Sequence, residues 1–152
     1  MIRRATVLSL VAAAVLLTAS LPPALGAGYG RGLFTGKGDS QFDSDRPKTP
    51  VEIKVKGARA RVVKMVFVFD CSEDGTVLRR TVETRLFKVR TGPAGGGAFF
   101  TDKLAPKEGG DRVDVTIHLG LRERTISGTA DATLFIDKLP CQDDVIFKAN
   151  KR

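Results

Sequence analysis

Hydrophobic and polar positions along this chain repeat every two residues, not at the 3.6-residue period of a helix. Between Asp111 and Leu121, apolar Val113, Val115, Ile117, Leu119 and Leu121 alternate with Asp114, Thr116, His118 and Gly120. A helix would spread those five apolar side chains around its axis, whereas a strand puts them all on one face. Val51, Ile53 and Val55 alternate in the same way with Glu52, Lys54 and Lys56. From Thr125 to Ile136, Ile126, Ala130, Ala132, Leu134 and Ile136 fall out of phase with Thr125, Ser127, Thr129, Asp131 and Thr133. Arg61–Asp70 is apolar at nearly every position from Val62, with only Lys64 interrupting, which predicts a central strand covered on both faces.

The breaks between these runs carry turn chemistry. Glu73-Asp74-Gly75 has the Asp-Gly signal of a tight hairpin, because glycine takes positive φ without a steric penalty. Arg122-Glu123-Arg124 is a short link between two long strands, and Pro93–Gly97 and Pro106–Gly110 read as loops. The polar stretch Asp39–Pro50 also reads as a loop. Within Val77–Arg90 the apolar phase slips: Leu78, Val82 and Leu86 are followed by Phe87 and Val89, as a bulge or bend would produce. The predicted strands are Gly32–Lys37, Val51–Lys56, Arg61–Asp70, Val77–Arg90, Ala98–Lys103, Val113–Leu121, Thr125–Ile136 and Val145–Lys148. No segment after residue 30 has an amphipathic helical pattern. About eight strands with this spacing predict an all-β fold, an antiparallel β-sandwich, with a closed or partly open β-barrel as the alternative.

The start of the chain departs from this pattern. Arg3 and Arg4 precede an uncharged, mostly apolar run from Ala5 to Ala19, and Ala24-Leu25-Gly26-Ala27 follows with small residues. That is the layout of an export signal over residues 1–27, cleaved after Gly26 or Ala27. The apolar run falls short of the roughly 20 residues a membrane-spanning helix needs. One β-domain from residue 30 to residue 152 is left, with no transmembrane segment in the mature chain. Export takes the chain to an oxidising compartment, where its two cysteines, Cys71 and Cys141, permit one internal bridge. Such a bridge ties the end of one strand to the beginning of another. It closes a loop of about 70 residues, which the chain-entropy model values at roughly 4 kcal/mol.

Charge narrows the functional classes. The formal net charge is +8, and loss of Arg3 and Arg4 with the leader brings it to +6. A basic secreted domain suits anionic surfaces, although the same charge also keeps a protein soluble. Arg79, Arg80, Arg85, Lys88 and Arg90 crowd one predicted strand and form the candidate anion contact. Alternation would align Arg80, Lys88 and Arg90 on one face and Arg79 and Arg85 on the other, unless a bulge intervenes. Nucleic acid is not the expected partner, because stacking readers set aromatics among their charges; this chain has no tryptophan and one tyrosine, Tyr29.

Catalytic and metal chemistry find little support. His118 is the single histidine, out of phase with its apolar neighbours, and no serine stands in a nucleophile turn. One histidine and two bridged cysteines do not make a zinc site. Asp39, Asp43 and Asp45 lack the spacing and distal glutamate of a calcium loop, and Asp143-Asp144 offers less. Gly95-Gly96-Gly97 leads into the strand-like Ala98-Phe99-Phe100 and not into a phosphate-binding helix N-terminus, so it reads as part of a hairpin loop.

The signal, the early FTGKG strand, VEIKVKGARARVVKMVFVFDC, the strand pair joined through RERTISGTADATL, and a second cysteine before a basic final strand resemble the secreted two-cysteine β-domain proteins of high-GC Gram-positive bacteria. The chain departs from that group in carrying Phe147 where its final strand is expected to hold tryptophan. The resemblance implies a compact extracytoplasmic β-domain; it supplies no activity and no catalytic residues to carry over. The expectation is therefore a non-enzymatic binding or structural module of the cell envelope, with no cofactor or metal. Its expected partners are anionic envelope polymers or another secreted protein. A small-ligand carrier with an interior cavity and a secreted enzyme are the alternative readings.

Overall fold

The computed structural model describes residues 31–41, 47–71, 77–92 and 95–152. The export signal, the Glu73-Asp74-Gly75 turn, Asp43, Asp45 and Pro93 lie outside the described residues. Those described form ten strands: β1 (Gly32–Ser40), β2 (Thr49–Lys56), β3 (Arg59–Asp70), β4 (Val77–Val82), β5 (Phe87–Lys88), β6 (Arg90–Gly92), β7 (Gly95–Leu104), β8 (Val113–Leu121), β9 (Thr125–Ile136) and β10 (Leu139–Lys151). All pairs are antiparallel, in the order β4-β3-β2-β1-β10-β9-β8-β7-β6, with β5 also on β3. The fold is all-β, as the alternation requires, and a single curled sheet takes the place of two stacked ones. It is the partly open barrel.

Curling is made possible by glycines on the concave side. A Cβ at Gly36 would overlap the Lys148 carbonyl oxygen and sit 2.6 Å from Ala149 Cα. One at Gly128 would overlap the His118 carbonyl oxygen and come within 2.9 Å of Phe147 Cζ. Without side chains at these points, neighbouring strands coil closely enough for the sheet to turn back on itself. The inward positions are filled by Phe34, Ile53, Met65, Phe67, Phe69, Ile117, Ile126 and Leu134, all fully buried, with Phe147 beside them. No helix among the described residues is long and apolar enough to cross a membrane.

Two departures from strict alternation explain where the sequence pattern misleads. In β3 the ladder with β2 runs Glu52↔Lys64 and then Ile53↔Val62, so Val63 is an extra, bulged residue. Inward residues are Ala60 and Val62 before the bulge and Met65, Phe67 and Phe69 after it. The run predicted as Val77–Arg90 is broken at residues 83–86, and its inward phase passes from Val82 and Thr84 to Phe87 and Val89. Thr84 holds the break in place: its amide donates to the Val62 carbonyl at 3.0 Å, and its hydroxyl accepts from the Val62 amide at 2.9 Å.

Two loop expectations and one strand boundary are corrected. Gly95–Gly97 belongs to β7, and the predicted loop Asp39–Pro50 gives up Asp39 and Ser40 to β1 and Thr49 and Pro50 to β2. The last strand begins at Leu139, not Val145, after a two-residue turn in which Asp137 and Lys138 both have positive φ (50° and 71°). That is the geometry of a primed hairpin turn, in which asparagine or glycine is the usual signal. Pro106–Gly110 is off-strand as expected, with Gly109 and Gly110 at positive φ.

Cys71 and Cys141 are bridged, joining the end of β3 to the start of β10. The two strands are not ladder neighbours, because β1 and β2 lie between them in the sheet. Their ends meet where β1 and β2 stop short, and Asp143 completes the junction. Its carboxylate points inward, is 1% exposed, accepts from the Ser40 hydroxyl at 2.7 Å and accepts from the Val68 amide at 2.8 Å. One inward acid thus ties β1, β3 and β10 together.

Two outcomes check this account. Asp143→Ala leaves buried donors without their acceptor and lowers unfolding free energy in urea by about 2–3 kcal/mol. Gly128→Ala, whose Cβ has no room, destabilises by more than about 3 kcal/mol, whereas Gly120→Ala on the outer face of β8 changes stability by under about 0.5 kcal/mol.

Candidate functional site

The run from Phe87 to Gly92 is shared between two sheet edges. Phe87 and Lys88 pair with Ala60 and Arg59 of β3, while Arg90, Thr91 and Gly92 pair with Gly97, Gly96 and Gly95 of β7. The Val89 amide donates to the Ala58 carbonyl at 2.9 Å, and the Val89 side chain is buried. Phe87 packs on Phe100 with ring centroids 5.0 Å apart. With Phe87 and Val89 fixed inward, Lys88 and Arg90 must point out.

That outward pair meets two cations from the β2–β3 turn. Lys56 and Arg59 face each other across the hairpin, and Arg59 faces Lys88 across the next pair. Lys56, Ala58, Arg59, Lys88, Val89, Arg90, Gly97, Ala98 and Phe99 surround an open groove of about 740 Å³. The lining holds four basic side chains and no acidic one. Phe99 forms an exposed wall at 60% accessibility, and its ring packs against His118 at 4.9 Å between centroids.

Five cations outside the groove are held by acids. Arg61 and Lys107 both bind Glu83, the former at 2.7 Å. The Lys107 hydrogen bond, opposed by burial and helped by the charges of Lys107 and Arg61, keeps the Glu83 carboxyl below its ordinary range. Arg85 pairs with Asp102 at 3.3 Å, spanning the opening between β4 and β7. Lys48 pairs with Asp39, and Lys103 with Asp114. None of the four groove cations has an ion-pair partner among the described residues. They are four like charges on one rim.

The five predicted anion-contact residues are therefore divided. Lys88 and Arg90 share the groove, as alternation requires. Arg80 does not align with them, because the break at residues 83–86 shifts the phase; it shares the face of Leu78 and Val82, and its Nε is buried with no hydrogen-bond partner among the described residues. Arg79 lies on the opposite face of β4 from Arg80, and Arg85 is engaged by Asp102. Lys56 and Arg59, on a separate hairpin, were not singled out by sequence reasoning. The sole available signal was the basic clustering in KVKGARAR, which carries no information on what it faces.

Edges and acids near the groove have their own partners. The free side of β4 is covered by residues 106–109: the Lys107 amide donates to the Thr81 carbonyl, and Glu108 accepts from the Thr81 amide and hydroxyl. Burial acts to raise the Glu108 carboxyl, but the Thr81 hydrogen bonds, one to its own backbone and the charge of Arg80 together leave it below its ordinary range. His118 is exposed on the outer face, out of phase with the core as expected. Among the described residues no group of histidine, cysteine and acid side chains could hold a metal ion. Comparison with protein-family models, curated proteins and solved structures returned no match.

On the same outer face Asp131 and Asp144 are directly opposed across β9 and β10. Burial, then the charge of Asp131 and its hydrogen bond, with Asp143 adding, raise the Asp144 carboxyl above its usual range. A raised native value means that the ionised carboxylate works against the fold at neutral pH, and that stability is regained as pH falls through that value. Asp144→Asn is expected to raise the melting temperature at pH 7, with the gain vanishing by about pH 3, where the carboxyl is protonated in both states. Thermal melts of both proteins across that range check it.

Proposed function

We propose that this protein is an exported, non-enzymatic binding module of the cell envelope whose basic groove contacts anionic polymers. The observation that carries the reading is the convergence of Lys56, Arg59, Lys88 and Arg90 on one acid-free groove. Four cations held together without counter-charges repel one another, and a polyanion relieves that repulsion while releasing its own counterions. The internal disulfide suits an oxidising compartment. Aromatic side chains fill the inward positions, which supports a surface mode of action over carriage of a small ligand inside the barrel.

Co-sedimentation of the purified protein with isolated bacterial cell envelopes over a salt series tests the reading. Binding should be strong at low salt and fall steeply as salt screens the contact. Lys88→Ala with Arg90→Ala should cut the bound fraction at least about fivefold, while Arg79→Ala with Arg85→Ala should stay within about twofold of the parent. Equal loss in both pairs would reduce the effect to net charge. No binding at low salt would overturn the reading.

A further inference from the structure

From Arg90 and Gly97 in the groove, a transverse row of paired residues runs around the outer face of the barrel. Successive ladder pairs place Arg90 beside Gly97, Gly97 beside Gly120, Gly120 beside Ser127, Ser127 beside Lys148 and Lys148 beside Lys37. The row crosses six strands. Its two ends are cationic, and its middle consists of the smallest side chains available. Five inter-strand steps of about 4.8 Å make it roughly 24 Å long. On one side stands the row that contains Phe99 and His118, paired directly across β7 and β8. That row continues through Thr129 and Ile146 to Asp39, which Lys48 holds, and Asp131 and Asp144 lie one row further out with Thr116 and Thr101.

The small residues of this floor are not demanded by the backbone. Gly97 and Gly120 do not have positive φ. A Cβ at Gly120 would make ordinary contacts of 3.7 Å with Ser127, and one at Gly97 would lie 3.4 Å from the Leu119 carbonyl oxygen. This contrasts with Gly36 and Gly128, where packing excludes any side chain. Glycine is costly in an exposed strand, since it has high chain entropy and nothing to pack. Its use at two adjacent outer positions, where an added Cβ would meet nothing closer than 3.4 Å, leaves the row low between Arg90 and Lys148.

We propose that the ligand of the groove is a linear polyanion that lies across the strands, from the four-cation groove along the Gly97–Gly120–Ser127 trough to Lys148 and Lys37. This rests on the groove reading above and adds length as the recognised property. A compact anion can use only the groove, whereas a chain spanning the trough engages both basic ends, the second at the effective concentration set by the first.

Titration calorimetry with inorganic tripolyphosphate and with a polyphosphate long enough to cross all six strands separates the two levels. The long chain should bind at least about tenfold more tightly per chain than tripolyphosphate. It should also show a steeper fall with salt. Gly120→Leu, which obstructs the trough without touching any cation, should remove most of that advantage and leave both tripolyphosphate affinity and melting temperature unchanged. Lys148→Ala with Lys37→Ala should do the same. If Lys88→Ala with Arg90→Ala abolishes binding of both probes but chain length and Gly120→Leu have no effect, the trough is overturned and the groove stands. If the parent binds neither probe, both fall.

Discussion

Phe87 and Lys88 hydrogen-bond with β3 while Arg90 to Gly92 hydrogen-bond with β7, so one short run of backbone serves two sheet edges. A curled sheet must dispose of its edges, because unpaired strand backbone is an invitation to further pairing. Here the shared run joins the edges along part of their length. The opening that remains between β4 and β7 is spanned by the Arg85–Asp102 pair, and residues 106–109 cover the flank of β4. The join also decides what the outer surface presents. With Phe87 packed against the core and Val89 buried, Lys88 and Arg90 point outward, into the company of Lys56 and Arg59.

The opposite join is made by different means. Where β1 and β2 end, β3 and β10 are held by a covalent bridge and by the Asp143 carboxylate, which bonds to both the Ser40 hydroxyl and the Val68 amide. A buried carboxylate is tolerated because donors face it from two strands; without them its burial would be prohibitive. Staple and acid together close the core at a place where hydrogen-bonded ladders do not reach. Inside, large aromatic side chains occupy the space, and outside, the sheet is free to specialise.

That specialisation is a division of charge. Glu83, Asp102, Asp39 and Asp114 each hold a cation, while the groove keeps four without a partner among the described residues. Along the glycine floor leading away from it, two outer positions are left bare where the backbone would accept a side chain. The uncharged Gly97–Gly120–Ser127 row joins the groove to Lys148 and Lys37 on the outer face, with the Phe99–His118 pair beside it.

The amino-acid sequence by itself determined the all-β class, the exact span of the strands Val113–Leu121 and Thr125–Ile136, and the pairing of Cys71 with Cys141. These rest on local alternation and on there being only two cysteines. It could not place the bulge at Val63, because a run apolar at nearly every position shows no change of phase. Nor did it extend the last strand back to Leu139, because the inward Asp143 reads as a polar interruption until its donors are seen. The choice of barrel over sandwich depends on which glycines face inward, a property of the curled sheet and not of any segment. The basic site was half legible: Lys88 and Arg90 share a face by period two alone. Lys56 and Arg59 join them, and Arg80 leaves, only through pairings between residues far apart in the chain, and those the tertiary structure decided.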